Sequence, residues 1–275
     1  RAMLRSCCDA RTGLVLTRGD AAERPGLAFE AATKTLHVTP QLLSVLPESS
    51  PLAGELHGRC AVVGNSGALL GSRCGRSIDN ADFVIRVQPP SGVGKLHAGR
   101  RQPQPHGDAQ PQHHQDGGLH SSESRSRFVS DVTDYGDALL LVPALAYVHN
   151  LLPALRAHRA LEAAGARQKA VFFHPDYLRR LARLWAARGL RPQRLSTGLM
   201  LASASLTLCR QVHLYGFWPL ERGPDGASLP HHYFDDRPPR PGAHDMPQEF
   251  SHYLLLHSQG AIRLHMGACT TCCRP

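Results

Sequence analysis

Glycine, small hydroxyl residues and histidine fall in this chain at spacings suited to holding an anion and moving a proton. Gly64-Asn-Ser-Gly67 follows the short β-branched run Cys60-Ala-Val-Val63. Glycines at such a strand end let the backbone approach a ligand closely. Asn65 between them also tolerates the left-handed geometry of a plain turn. Ser196-Thr-Gly198 precedes the nearly uniformly apolar stretch from Leu199 to Cys209. The first amides of a helix there would attract a negative group, and Ser196 or Thr197 would equally serve as its cap. Histidine is the side chain that changes charge near neutral pH. His244 stands just ahead of the helix opened by Pro247, and His231 and His232 follow Pro230. Taken singly, the first reads as a surface-loop histidine and the pair as an exposed turn. Trp218, as a lone aromatic, fits a core position equally well.

Eight cysteines constrain the compartment. Cys269-Thr-Thr-Cys272 supplies one pair of zinc-type ligands, but the adjacent Cys7-Cys8 has the wrong spacing for the second. The histidines His97, His106, His113 and His114 are scattered and lack carboxylate or cysteine partners. Cys60, Cys74 and Cys209 sit beside apolar runs, where disulfides would tie distant elements together and imply an oxidising, secretory environment. Buried free thiols are the alternative.

Positioning these groups falls to a sheet flanked by helices. Cys60–Val63, Asp82–Arg86, Ala138–Val142, Lys169–Phe173, Gln211–Gly216 and Ala261–His265 read as strands, and Thr35–Thr39 as a weak edge strand. Pro175 opens a helix with Leu178, Leu181, Leu184 and Trp185 on one face and Gly189 as its stop. Leu199 to Cys209 makes a central helix, and Pro247 starts one lasting until Gly260. Strands alternating with helices predict a three-layer α/β domain with a mostly parallel sheet. Such sheets bind ligands at the carboxyl ends of their strands, where Gly64–Gly67 and Gly216–Pro219 lie. We assign residues 59–275 to this domain and residues 1–58 to an N-terminal extension packed on it.

The net charge of +9 suggests an anionic partner, with an arginine-rich codon bias as the plain alternative. Nucleic acid is one candidate class, but aromatics make up only 6% of the chain and the arginines are dispersed. A substrate bearing phosphate and carboxylate fits as well. No stretch approaches the ~18 consecutive apolar residues of a membrane span; an anchor preceding Arg1 is expected.

Arg59 to Arg86, RCAVVGNSGALLGSRCGRSIDNADFVIR, resembles the large sialyl motif of animal sialyltransferases almost residue for residue. Arg194 to Pro219 resembles the small motif, His232-Tyr-Phe-Asp235 the third, and His244 with Glu249 the very small His-x4-Glu motif. The Ser-Thr-Gly and Tyr-Gly-Phe-Trp-Pro wording, with Cys7-Cys8-Asp9 and Cys74, is similar to the α-2,8 branch, nearest its ganglioside-type members. The resemblance implies a Rossmann-like variant of the GT-A fold. It also implies inverting transfer of sialic acid from CMP-sialic acid to a sialylated glycolipid or glycoprotein, without metal or cofactor. The chain has no Asp-x-Asp, the usual divalent-metal signature of nucleotide-sugar transferases. By the same resemblance His244 is the base, and His232 stabilises the departing phosphate. Asn65, Gln88, Ser196, Thr197, Gly198, Trp218 and His231 take donor-contacting positions, and Glu249 caps or orients its helix start. Cys60 pairs with Cys209 and Cys74 with Cys269, each closing a long loop nominally worth ~4 to 5 kcal/mol; Cys7, Cys8, Cys272 and Cys273 stay unassigned. A Golgi membrane protein of type II is implied, with its catalytic domain luminal, no nucleic-acid partner, and a homodimer compatible.

Departures from the pattern are equally legible. Phe234 stands where the family has Tyr, Gln88 where it has a donor-binding Asn, and no Asn-x-Ser/Thr sequon occurs. From Ser91 to Arg127 the chain is rich in Gln, His, Pro, Gly, Arg and Ser, which taken literally is a disordered insertion. Gln110-Pro-Gln-His-His114 is also what the codons for an Asn-Pro-Ser-Ile-Ile segment give when read one nucleotide early. We therefore expect residues 88–125 to derive from a shifted frame, in the reading of the gene or in the allele. Taken as genuine protein, the tract would cost the sheet a central strand. That motivates the alternative of a catalytically impaired CMP-sugar-binding or interaction protein.

Overall fold

The computed structural model describes residues 1–31, 34–87, 119, 121–133, 135–233 and 244–269, together with the backbone of 94–98. Helices α1 (Ala2–Cys7), α2 (Ala10–Gly13), α3 (Arg18–Ala22) and α4 (Pro40–Val45), with the antiparallel strands β1 (Gly26–Ala28) and β2 (Thr35–His37), precede the main sheet. The Thr35 strand therefore pairs with β1, apart from that sheet. Next come β3 (His57–Val63), α5 (Gly75–Asp79), β4 (Phe83–Arg86), β5 (Gly94–Ala98), α6 (Ser122–Thr133) and β6 (Leu139–Val142). The chain continues through α7 (Leu151–Ala163), β7 (Lys169–Phe172), α8 (Pro175–Ala186), α9 (Thr197–Leu208), β8 (Cys209–Tyr215), α10 (Met246–Ser258) and β9 (Arg263–His265).

The strands form one seven-stranded sheet in the order β7-β6-β5-β4-β3-β8-β9. Every neighbouring pair is parallel except the two made by β5. Side chains on a strand alternate between faces, and here both faces are buried. Leu141, Val171 and Phe173 pack with α8 and α9, whereas Leu140, Val142, Ala170 and Phe172 pack with α6 and α7. The three-layer architecture read from the sequence is the one observed. Residues 1–58 enter both layers: Leu4, Ala10 and Leu14 join the α8–α9 side, and Leu16, Ala21 and Leu42 the other. Val15 bridges Phe173 on the outer edge of the sheet.

The expected gap in the sheet is corrected. Gly94–Ala98 runs antiparallel to both β4 and β6, pairing Leu96 with Ile85 and with Leu139. Ladder hydrogen bonds use backbone groups only, so a segment of weak strand composition fills the place between two strands that need a partner. Residues 88–93 and 99–118 lie outside the described residues, and Ser122 already opens α6.

Disulfides join Cys60 to Cys209, across the neighbouring strands β3 and β8, and Cys74 to Cys269. Both match the pairing implied by the resemblance and displace the zinc and free-thiol readings. Cys7 and Cys8, unassigned from sequence, are bonded to each other; Cys272 and Cys273 lie outside the described residues. Among the described residues no helix is long and apolar enough to cross a membrane.

Candidate active site

Strands β3 and β8 end side by side, and their turns interlock. Gly64 N–H donates to the Tyr215 carbonyl at 2.7 Å, and Ser66 N–H to that of Gly216 at 3.2 Å. Gly216 has φ +70°, and a Cβ there would lie 2.7 Å from Leu69. A Cβ on Gly64 would collide with the Gly216 carbonyl, so glycine is required at both. The same turn holds the segment after Pro230. Gly67 N–H donates to the Pro230 carbonyl at 3.2 Å, and Tyr233 N–H to that of Asn65 at 2.8 Å. His231 and His232 are thereby clipped beside Asn65, with ring centroids 4.3 Å apart.

Helix α9 starts on the other side of Phe217. The position of a Cβ on Gly198 is 3.1 Å from that ring, and of one on Gly64 3.2 Å. Ser196 caps the helix, its hydroxyl oxygen accepting from Leu199 N–H at 3.0 Å. The amides of Thr197 and Gly198, in the first turn, have no intrahelical acceptor, and such helix-start amides suit an anion. Ser196 itself is held by Glu249 of α10. Its N–H donates to Glu249 Oε1 at 2.8 Å and its hydroxyl to Oε2. Glu249 is fully buried. Burial raises its carboxyl above the usual range, opposed by the Ser196 hydrogen bonds and by the nearby His244. Tyr253, one turn along, is buried edge-on to Phe217 at 5.1 Å. Burial and then the Glu249 charge push its hydroxyl well above the usual range.

His244 lies at the mouth of α10, exposed. Its Nδ1 is 2.8 Å from the carbonyl oxygen of Arg194. A carbonyl only accepts, so Nδ1 carries the hydrogen and Nε2 is the nitrogen able to take a proton. Arg194 is fixed in turn by Glu30, with Nη2–Oε2 at 3.0 Å. Trp218 donates from Nε1 to the Arg222 carbonyl at 2.8 Å and meets Phe250 of α10 edge-on.

Asn65, His231, His232, Ser196, Thr197, Gly198, Trp218 and His244 thus converge at the carboxyl ends of β3 and β8 and the starts of α9 and α10. The Ser196 hydroxyl is committed to Leu199 and Glu249, in keeping with its capping role. Gln88 and Phe234 lie outside the described residues. Sequence reasoning missed Phe217, whose ring separates Gly64 from Gly198, as well as Tyr253 and the Glu30–Arg194 pair. The first was within reach, since it stands inside the Tyr-Gly-Phe-Trp-Pro run. Among the described residues no group of three or more His, Cys, Asp or Glu is arranged to hold a metal.

Comparison with known proteins converges on one family. Residues 19–261 match glycosyltransferase family 29 (sialyltransferase). Alpha-2,8-sialyltransferase 8F of Mus musculus is 36% identical over 272 residues, spanning 98% of this chain and 68% of that protein. Alpha-2,8-sialyltransferase 8E of Rattus norvegicus is 36% identical over 275 residues, spanning 99% and 73%. The alpha-N-acetylneuraminide alpha-2,8-sialyltransferase of Xenopus laevis is 33% identical over 270 residues, spanning 98% and 75%. A crystal structure of a mammalian sialyltransferase superposes with a TM-score of 0.58 at 20% identity, covering 97% of this chain and 94% of that one. It shares the fold.

Proposed function

The chain belongs to glycosyltransferase family 29, the sialyltransferases, and on that premise we propose that it transfers sialic acid from CMP-sialic acid to a sialylated glycan acceptor, in α-2,8 linkage and with inversion. The linkage follows the names of its relatives. His244 Nε2 takes the proton of the acceptor hydroxyl as that oxygen bonds to the anomeric carbon. The bond from that carbon to the phosphate oxygen breaks on the opposite face, and CMP leaves with the electron pair. His232 and the Thr197 and Gly198 amides receive the charge growing on the phosphate. A single phosphate neutralised this way needs no divalent cation. Asn65, His231 and Trp218 contact the donor, while Ser196 and Glu249 set the angle of the α9 start.

One observation carries this reading: the Arg194 carbonyl fixes the tautomer of His244 immediately ahead of the Ser196–Gly198 segment. The acceptor is a glycolipid or glycoprotein terminus, and the catalytic domain is luminal in the Golgi, held by an anchor ahead of Arg1. The reading of an impaired CMP-sugar-binding protein loses half its motivation, since β5 occupies the place between β4 and β6.

The test is transfer from labelled CMP-sialic acid across a panel of glycolipid and glycoprotein acceptors, for the wild type and His244→Ala. Product from the wild type alone is expected. Wild-type turnover in the variant would remove the base from the mechanism, and CMP binding without any transfer would favour the impaired reading.

A further inference from the structure

We propose that Glu30, in the N-terminal segment and distant along the chain from the sialyl motifs, is a positioning residue for His244, acting through Arg194. The inference rests on His244 being the base. Among the described residues the exposed His244 ring makes one hydrogen bond, to the Arg194 carbonyl at 2.8 Å. The orientation and tautomer of the base are therefore only as fixed as that carbonyl. On its carboxyl side Arg194 is followed by the buried Leu195 and by Ser196, locked on Glu249. Its side chain is held by Glu30, with Nε 3.2 and 3.3 Å from the two carboxylate oxygens and Nη2 3.0 Å from Oε2. A guanidinium fork on a carboxylate fixes direction as well as distance. Both side chains are largely buried, 15% and 10% exposed, so water competes little for the pair.

Glu30 is itself anchored. Its N–H donates to the Leu145 carbonyl at 2.8 Å, and that of Ala31 to Ala146 at 3.1 Å. Leu145 and Ala146 are buried in the connection that follows β6. A continuous path thus runs from the sheet, through Glu30 and Arg194, to the nitrogen opposite the one that takes the proton. Loss of the Glu30 charge leaves the arginine fork without its fixed partner and lets the carbonyl turn. The imidazole is then free to take the tautomer with hydrogen on Nε2, which cannot accept a proton there.

The test compares the full chain with Glu30→Gln, His244→Ala and the double variant, using labelled CMP-sialic acid and the acceptor best used by the wild type. Glu30→Gln should lower kcat about tenfold or more, as small misplacements of a catalytic group do, with the KM for CMP-sialic acid within about twofold. In the His244→Ala background the same substitution should change the residual rate by less than about twofold, because a residue acting through the base has nothing left to act on. A further loss in that background, or a raised donor KM at unchanged kcat, would show a general structural role and overturn the proposal. The paired Glu30→Leu with Arg194→Met leaves no charge buried alone and keeps the fold. It should lose kcat as Glu30→Gln does; wild-type kcat in the paired variant would equally overturn the proposal. Full activity of His244→Ala by itself would overturn the assignment of the base, an outcome distinct from each of these.

Discussion

The two helix starts that meet at the site are built in opposite ways. At α9, Ser196 is buried, and both its N–H and its hydroxyl end on Glu249 while its oxygen caps Leu199. At α10, Asp245 caps Gln248 at 3.0 Å from an exposed position, and the preceding His244 rests on one carbonyl. Burial removes the competition of water from the first set of bonds and leaves it in the second. The first start can therefore hold amides at fixed positions toward a phosphate. In the proposed reaction the second carries the group that meets the acceptor hydroxyl. In that proposed reaction the donor side is thus the more rigid and the acceptor side the more adjustable, and that division is what substitutions can break.

The largest effect is expected at the adjustable side. His244→Ala should lower kcat by about 10²- to 10⁴-fold, the usual span for general base catalysis, while the affinity for CMP, measured by calorimetry, stays within about threefold. Glu249→Ala comes next. It leaves the buried N–H of Ser196 unpaired, at a cost of about 2–3 kcal/mol, read as a lower midpoint in urea unfolding. Unlike His244→Ala it should weaken CMP binding, since the α9 amides lose their reference.

Glu249 also sets a pH dependence. Its carboxyl is raised in the folded chain, chiefly by burial, so the native state holds that proton more tightly than the unfolded one. The resulting stability is full below the ordinary carboxylate range and is lost as pH rises through the raised value. Glu249→Gln keeps an oxygen toward Ser196 and cannot ionise. Between pH 4 and pH 8 the variant should show a flatter unfolding midpoint than the wild type; parallel curves would mean that Glu249 ionises in the fold as it does in water.

How much of this was legible depended on the kind of signal. The strands β3, β4, β6, β7, β8 and β9 announce themselves as β-branched or aliphatic runs, and Pro175 and Pro247 mark helix openings. The placement of Gly64–Gly67 and Gly216 at one end of the sheet follows from parallel topology alone. Helix α7 escaped because its buried stripe is Ala154, Ala157 and Ala160, and small residues give little periodic contrast. The segment Leu14–Leu16 is consecutively buried because it lies along the edge of β7, so no alternation marks it. Strand β5 is backbone pairing in a segment without strand composition. The Glu30–Arg194 pair joins positions separated by 164 residues, and a single charged pair leaves no pattern along a chain.

The smallest effects sharpen the contrast most directly. Ser196→Ala removes a buried cap together with a partner of Glu249, and should cost about 1–2 kcal/mol. Asp245→Ala removes the cap of α10 in the same formal sense, but water can take over the freed Gln248 amide at that exposed position. Its Tm should fall by only about 1–2 °C, against a drop several times larger for Ser196→Ala in the same thermal scan. Were the two variants to lose equal stability, the α10 start would be as firmly held as that of α9. The adjustable side proposed for the acceptor would then lie elsewhere in the molecule.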